Sequence, residues 1–76
     1  MQEKLKADVE FLNGNYALAA DMYYEGARNG DALCAFNYAY CLWHGLGRDY
    51  DPTEAKSYFT FAKNLEGGAA DRKSVV

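Results

Sequence analysis

The stretch Asn29-Gly30-Asp31-Ala32-Leu33-Cys34-Ala35-Phe36-Asn37-Tyr38-Ala39-Tyr40-Cys41-Leu42-Trp43-His44-Gly45-Leu46-Gly47 decides the fold class. Gly30 is free to take the left-handed conformation that closes a preceding helix. Asp31 is a side-chain acceptor placed to cap the next one. Ala32 to His44 then reads as a helix that is apolar almost all round, without one lysine, arginine, aspartate or glutamate. A helix of that kind is buried on several sides or binds something. Gly45-Leu46-Gly47 ends it and opens a loop through Arg48, Asp49 and Tyr50.

Working outward, Tyr16 to Arg28 carries an apolar stripe of Tyr16, Ala19, Ala20, Tyr23 and Ala27, with Arg28 in the last turn to complement the helix dipole. Before it, Gln2 to Leu12 places Leu5, Val9 and Leu12 at i, i+4 and i+7, which predicts an amphipathic helix with that stripe as its buried side. Asn13-Gly14-Asn15 breaks the two apart. After the loop, Asp51-Pro52 reads as an N-cap with proline at the first helical position, and Glu54 three residues on makes a variant capping box. Ala55, Tyr58, Phe59, Ala62 and Leu65 form the stripe of this fourth segment, and Gly67-Gly68 closes it. Residues 69–76 read as a flexible tail or the start of a further helix.

Composition supports the same class. The 76 residues include 12 alanines, three valines and no isoleucine, so the β-branched residues that build strands are scarce. Good helix formers take their place. The expectation is an all-α chain. With 8 basic and 11 acidic residues the net charge is −3, a poor basis for neutralising phosphates or an anionic membrane. No apolar run approaches the ~20 residues that span a bilayer. The N-terminus, Met1 to Asp8, is charged and lacks the apolar core of a secretory signal. A cytoplasmic protein is expected.

The residues that carry chemistry are few. Cys34 and Cys41 lie two helical turns apart, about 10.5 Å along the axis. That exceeds the ~7 Å between Cα atoms that a disulfide tolerates. With His44 as the only nearby companion they fall short of a four-ligand zinc site, so they read as small buried apolar side chains. Cys41 and His44 are close enough on one helix to touch, yet no third residue is placed to orient the histidine as a base. His44 reads instead as a helix-end residue beside the negative pole of the dipole. Gly45-Leu46-Gly47 is too short for a phosphate cradle, follows a helix where such cradles follow a strand, and has no lysine after it. No catalytic residue, metal ligand or cofactor site is expected, and the chain is not read as an enzyme. The terminal Ser74-Val75-Val76 fits a hydroxyl-x-aliphatic end captured by sheet-edge domains, but a three-residue match is weak and a tail without a role is the better reading.

Shifting the second segment by 36 residues lays Ala19 on Ala55, Tyr23 on Phe59 and Gly26 on Ala62, each the same size class. The chain therefore reads as two copies of a helix–turn–helix. Gly14-Asn15-Tyr16, Ala19 and Tyr23 resemble the turn and second helix of a tetratricopeptide repeat. Ala27, Gly30-Asp31-Ala32, Phe36-Asn37-Tyr38-Ala39, Gly45-Leu46-Gly47, Asp51 and Ala55 resemble, in order and spacing, the longer-looped Sel-one-like repeat. The matches cover roughly residues 14–67. The first helix departs from the pattern, since Lys6 and Glu10 fall where bulky apolar residues are expected, and so does Ala62-Lys63 in the fourth. The resemblance implies antiparallel helix–turn–helix repeats, in two units of about residues 2–30 and 31–67, stacked as a short right-handed α-solenoid within a domain of residues 1–68.

It also implies a function. In these families the first helix of each unit lines a concave surface that binds other proteins. Carried across, the register puts Leu33, Phe36, Tyr40, Trp43 and His44 on that surface, with Ala35, Tyr38, Ala39 and Leu42 facing paired helices. Phe36, Tyr40 and Trp43 do follow i, i+4, i+7. Asn37 matches the family's characteristic asparagine, either as a structural hydrogen-bonder between units or as a grip on a ligand's terminus. The expected function is a protein–protein adaptor that binds a protein or peptide through Leu33, Phe36, Asn37, Tyr40, Trp43 and His44. The alternative is a self-assembling structural unit, because about three repeats are usually needed for stability and this chain has two. A homodimer or higher oligomer through the third helix or the exposed end of the fourth is the corresponding expectation, as is a chain that belongs to a longer array.

Overall fold

The computed structural model describes residues 3–65 as four α-helices: α1 (Glu3–Leu12), α2 (Tyr16–Arg28), α3 (Ala32–His44) and α4 (Pro52–Leu65). Among the described residues there is no strand. Each helix packs on its neighbour in sequence, and α1 also touches α3. The expectations for Gly67-Gly68, for residues 69–76 and for the terminal Ser74-Val75-Val76 fall outside the described residues.

The boundaries follow the local chemistry. One oxygen of Asp31 accepts the amides of Leu33 at 2.9 Å and Cys34 at 3.1 Å, which satisfies two of the open donors of α3. Asp51 does the same for Glu54 at 3.0 Å, ahead of Pro52 at the start of α4. At its far end α3 stops because Gly45 adopts a left-handed conformation, φ 66°, and turns its amide back to the Cys41 carbonyl.

The core is made largely of the smallest side chain that has a Cβ. Among the described residues nine of the fourteen buried apolar side chains are alanine, so the helices approach closely and leave little room for wide side chains between them. The large members are Tyr23 on α2 and Tyr38 and Leu42 on α3. Tyr24, Tyr38 and Tyr58 bring rings from α2, α3 and α4 together, with centroids 5.2 Å apart for Tyr24–Tyr38 and 4.8 Å for Tyr38–Tyr58. The near-perpendicular 83° of the second pair is the edge-to-face geometry that the ring quadrupole favours.

The connection between α3 and α4 is part of this packing. Gly47 sits at φ +73° against the first turn of α2, where a Cβ would stand 2.3 Å from the Tyr16 carbonyl oxygen and 2.5 Å from the Ala17 nitrogen. Only glycine fits there. Next to it, Arg48 reaches Asp21 of α2 at 2.6 Å and lies over the Tyr38 ring at 5.5 Å. The loop thus fastens the end of α3 to the start of α2.

The stripe expected to bury α1 does not. Leu5, Val9 and Leu12 are 54%, 55% and 72% exposed. The side turned inward carries Ala7, which is fully buried, Phe11, which packs against the core, and Asp8, which accepts a hydrogen bond from the Tyr23 hydroxyl. Periodicity finds an apolar face but not whether a neighbour covers it. Here α2 meets α1 through an alanine and a polar contact, and the aliphatic face turns outward.

Candidate functional site

The third helix was the expected binding element, and its side chains separate into two sets. Cys34, Ala35, Tyr38, Ala39, Cys41 and Leu42 are buried. Leu33, Phe36 and Tyr40 are half-buried, and Trp43 and His44 are exposed. So the side opposite the paired helices grades from covered at its N-terminal half to open at its C-terminal end.

What covers the first half is visible in the ring contacts. Phe36 rests on Phe59 of α4, with centroids 5.0 Å apart. Tyr40 touches Phe11 of α1 at 6.4 Å and His44 of its own helix at 4.3 Å. Phe11 in turn meets Tyr16 at 5.1 Å. A continuous line of rings therefore runs from the start of α2 across α1 to the end of α3. Trp43 stands beside it and pairs instead with Tyr50 of the following loop, at 6.3 Å and 65°. Sequence reasoning placed Tyr50 only in a loop. The separation of seven residues across Gly45 and Gly47 gave no periodic signal, because the chain reverses between the two rings.

Asn37 occupies a different environment from the rest of the expected site. It is 2% exposed, on the side of α3 that faces Tyr23 of α2. Its neighbour is Tyr23, whose hydroxyl donates to Asp8. Burial pushes the Tyr23 hydroxyl pKa far above its ordinary value, and the bond to the Asp8 carboxylate adds to the rise; the nearby Asn37 amide opposes it. Among the described residues, neither Nδ2 nor Oδ1 of Asn37 makes a hydrogen bond of full geometry. A buried amide left in that state costs free energy. Of the two roles its place in the sequence offered, structural group between units or grip on a ligand, its surroundings are those of an interior polar group.

The two cysteines are fully buried and are not joined to each other in a disulfide. Burial raises the Cys41 thiol to about 11, so it is protonated and a poor nucleophile near neutral pH. Among the described residues no group of three His, Cys, Asp or Glu side chains is placed to hold a metal ion, and no helix is long and apolar enough to cross a membrane. The arrangement offers aromatic rings and apolar edges. Comparison of the chain with protein-family models, with curated proteins and with solved structures returns no match.

Proposed function

We propose that this chain is a protein–protein adaptor of the helical-repeat type, binding a peptide or protein segment along the aromatic side of α3. The observation that carries the reading is the open, aromatic end of that helix. Trp43 is 39% exposed, His44 is exposed beside it, and Leu33, Phe36 and Tyr40 extend the same side with part of their surface free. Aromatic side chains with few rotatable bonds contribute most at interfaces, because they bury much area at low entropic cost. In this reading Asn37 lies beneath the surface that presents the rings.

The repeat reading supplies the frame. Ala19 and Ala55, related by the 36-residue shift, are both fully buried, and so are Gly26 and Ala62 to within a few per cent, as expected of two helix–turn–helix units packed in series. A right-handed stack of such units presents α1 and α3 on one side. The resemblance to Sel-one-like and tetratricopeptide repeats remains the argument for that side as the binding side.

A second reading has its own observation. The aliphatic stripe of Leu5, Val9 and Leu12 on α1 is more exposed than Trp43 on α3, and an apolar stripe of that kind suits self-association into a homo-oligomer. The two readings predict different variants. Peptides selected on the chain from a random display library bind the adaptor and lose at least tenfold in affinity with Trp43→Ala, while Leu5→Gln/Val9→Gln leaves them unchanged. Selection that yields no binders, together with a mass that rises with concentration and returns to 8.5 kDa in Leu5→Gln/Val9→Gln, favours self-assembly.

A further inference from the structure

We infer that the Trp43–Tyr50 corner is a seat for a cationic side chain, so that the segment docking on α3 carries a lysine or arginine next to its apolar residues. This deepens the adaptor reading and rests on it. Three observations meet at this corner.

The first is geometry. Trp43 is 39% and Tyr50 63% exposed, and their rings stand edge-to-face with centroids 6.3 Å apart. Both rings offer open surface to one approaching group, and the face of a tryptophan is the aromatic surface that attracts a cation most strongly.

The second is charge. Between Gly45 and Glu54 the chain carries Asp49, Asp51 and Glu54 against a single cation, Arg48. That arginine is engaged by other groups: it pairs with Asp21 at 2.6 Å and lies over the Tyr38 ring at 5.5 Å. Asp49 and Glu54 are exposed, and Asp49 directly precedes Tyr50.

The third is the helix end itself. Trp43 sits in the last turn of α3, where the unpaired carbonyls give a partial negative charge. The returning amides of Gly45 and Leu46 both go to the Cys41 carbonyl and that of Asp51 goes to Leu42. Along α3 itself there is no aspartate, glutamate, lysine or arginine, and the one basic side chain is His44 in the last turn, whose ring rests on Tyr40 at 4.3 Å. The apolar body of a ligand therefore lies on Leu33, Phe36 and Tyr40, and its positive group lies at the C-terminal end. An acidic ligand is repelled at the same place.

The test uses the chain's one tryptophan as reporter. The full chain is titrated, by two-dimensional NMR at low salt, with three capped tripeptides: acetyl-Phe-Leu-Arg-amide, acetyl-Phe-Leu-Gln-amide and acetyl-Phe-Leu-Glu-amide. The expected result is movement of the Trp43 indole signal with affinities in the order Arg, Gln, Glu, the first at least fivefold above the second. That preference shrinks in 0.5 M salt, as an exposed charge interaction does. Asp49→Asn and Tyr50→Leu, both at exposed positions, bring the Arg-to-Gln ratio below twofold. Equal affinity for all three peptides overturns the cation seat and leaves the adaptor reading standing. So do shifts confined to Leu33 and Phe36. Absence of any shift at millimolar peptide overturns both.

Discussion

Both α1 and α3 lie against α2, yet they use their apolar residues in opposite ways. On α3 the inward side holds Tyr38, Leu42 and two cysteines, and the half-covered rings stand outside. On α1 the inward side holds Ala7, Phe11 and Asp8, and the aliphatic residues stand outside. The difference comes from the number of neighbours. Helix α3 is flanked by α2 and α4, so an all-round apolar sequence finds partners on two sides. Helix α1 has α2 and only a slight contact with α3. Apolar side chains thus end in burial in one place and exposure in the other.

The comparison breaks most visibly in the interior of α3. Leu42→Ala, at a side chain 3% exposed, is expected to lower stability by about 2–5 kcal/mol through lost transfer energy and a cavity, measured by urea denaturation. The fastening loop comes next. Gly47→Ala forces a Cβ into the Tyr16 carbonyl and is expected to cost roughly 2 kcal/mol or more. Gly45→Ala, whose Cβ meets nothing closer than 3.7 Å, is strained only by its left-handed backbone, at about 1 kcal/mol. A larger loss from Gly45→Ala than from Gly47→Ala contradicts the close approach of the loop to α2.

The polar joint between α1 and α2 is smaller again. Tyr23→Phe keeps the ring and removes the donor to Asp8, for an expected loss of about 1.5–3 kcal/mol, since the acceptor is a carboxylate. Faster amide exchange confined to α1 in that variant shows that this bond holds α1 in place; uniform change across the four helices contradicts it. At the lower end, Leu5→Gln and Val9→Gln on the open face of α1 are expected to change monomer stability by under about 0.5 kcal/mol. A loss of 2 kcal/mol at either position means that the face is covered after all.

Alkali sharpens the same contrast. The unfolded chain releases the Cys41 proton near 9, while the folded chain holds it to about 11. Between those values the native state binds more protons than the unfolded state, so stability falls as pH rises. Tyr23 is raised in the same sense from an ordinary value of 10.0, which continues the fall above pH 10. Denaturation midpoints at pH 7, 9.5 and 10.5 are expected to decline in that order. In Cys41→Ala the decline starts about one pH unit later.

Much of the fold was legible in the sequence because its signals are local. Asp31, Asp51, Gly30 and Gly45 mark helix ends by their own chemistry, and the four segments fall where those residues put them. The buried face of α3, Ala35, Tyr38, Ala39 and Leu42, was also legible, since an apolar helix with neighbours on two sides has few other options. The orientation of α1 was not. Leu5, Val9 and Leu12 make a better stripe than Ala7 and Phe11, and only tertiary contact with Tyr23 reverses the choice. For the candidate site, Trp43 and His44 are exposed, Asn37 is enclosed, and Tyr50 enters through a loop whose path the sequence did not give.

The most direct measurement is a two-dimensional NMR spectrum of the full chain at two protein concentrations, followed by addition of one library-selected peptide. The account predicts no change on dilution, then shifts at Leu33, Phe36, Tyr40 and the Trp43 indole when peptide is added, with Leu5, Val9 and Leu12 unmoved. Concentration-dependent shifts at Leu5, Val9 and Leu12, with α3 silent toward the peptide, would contradict it.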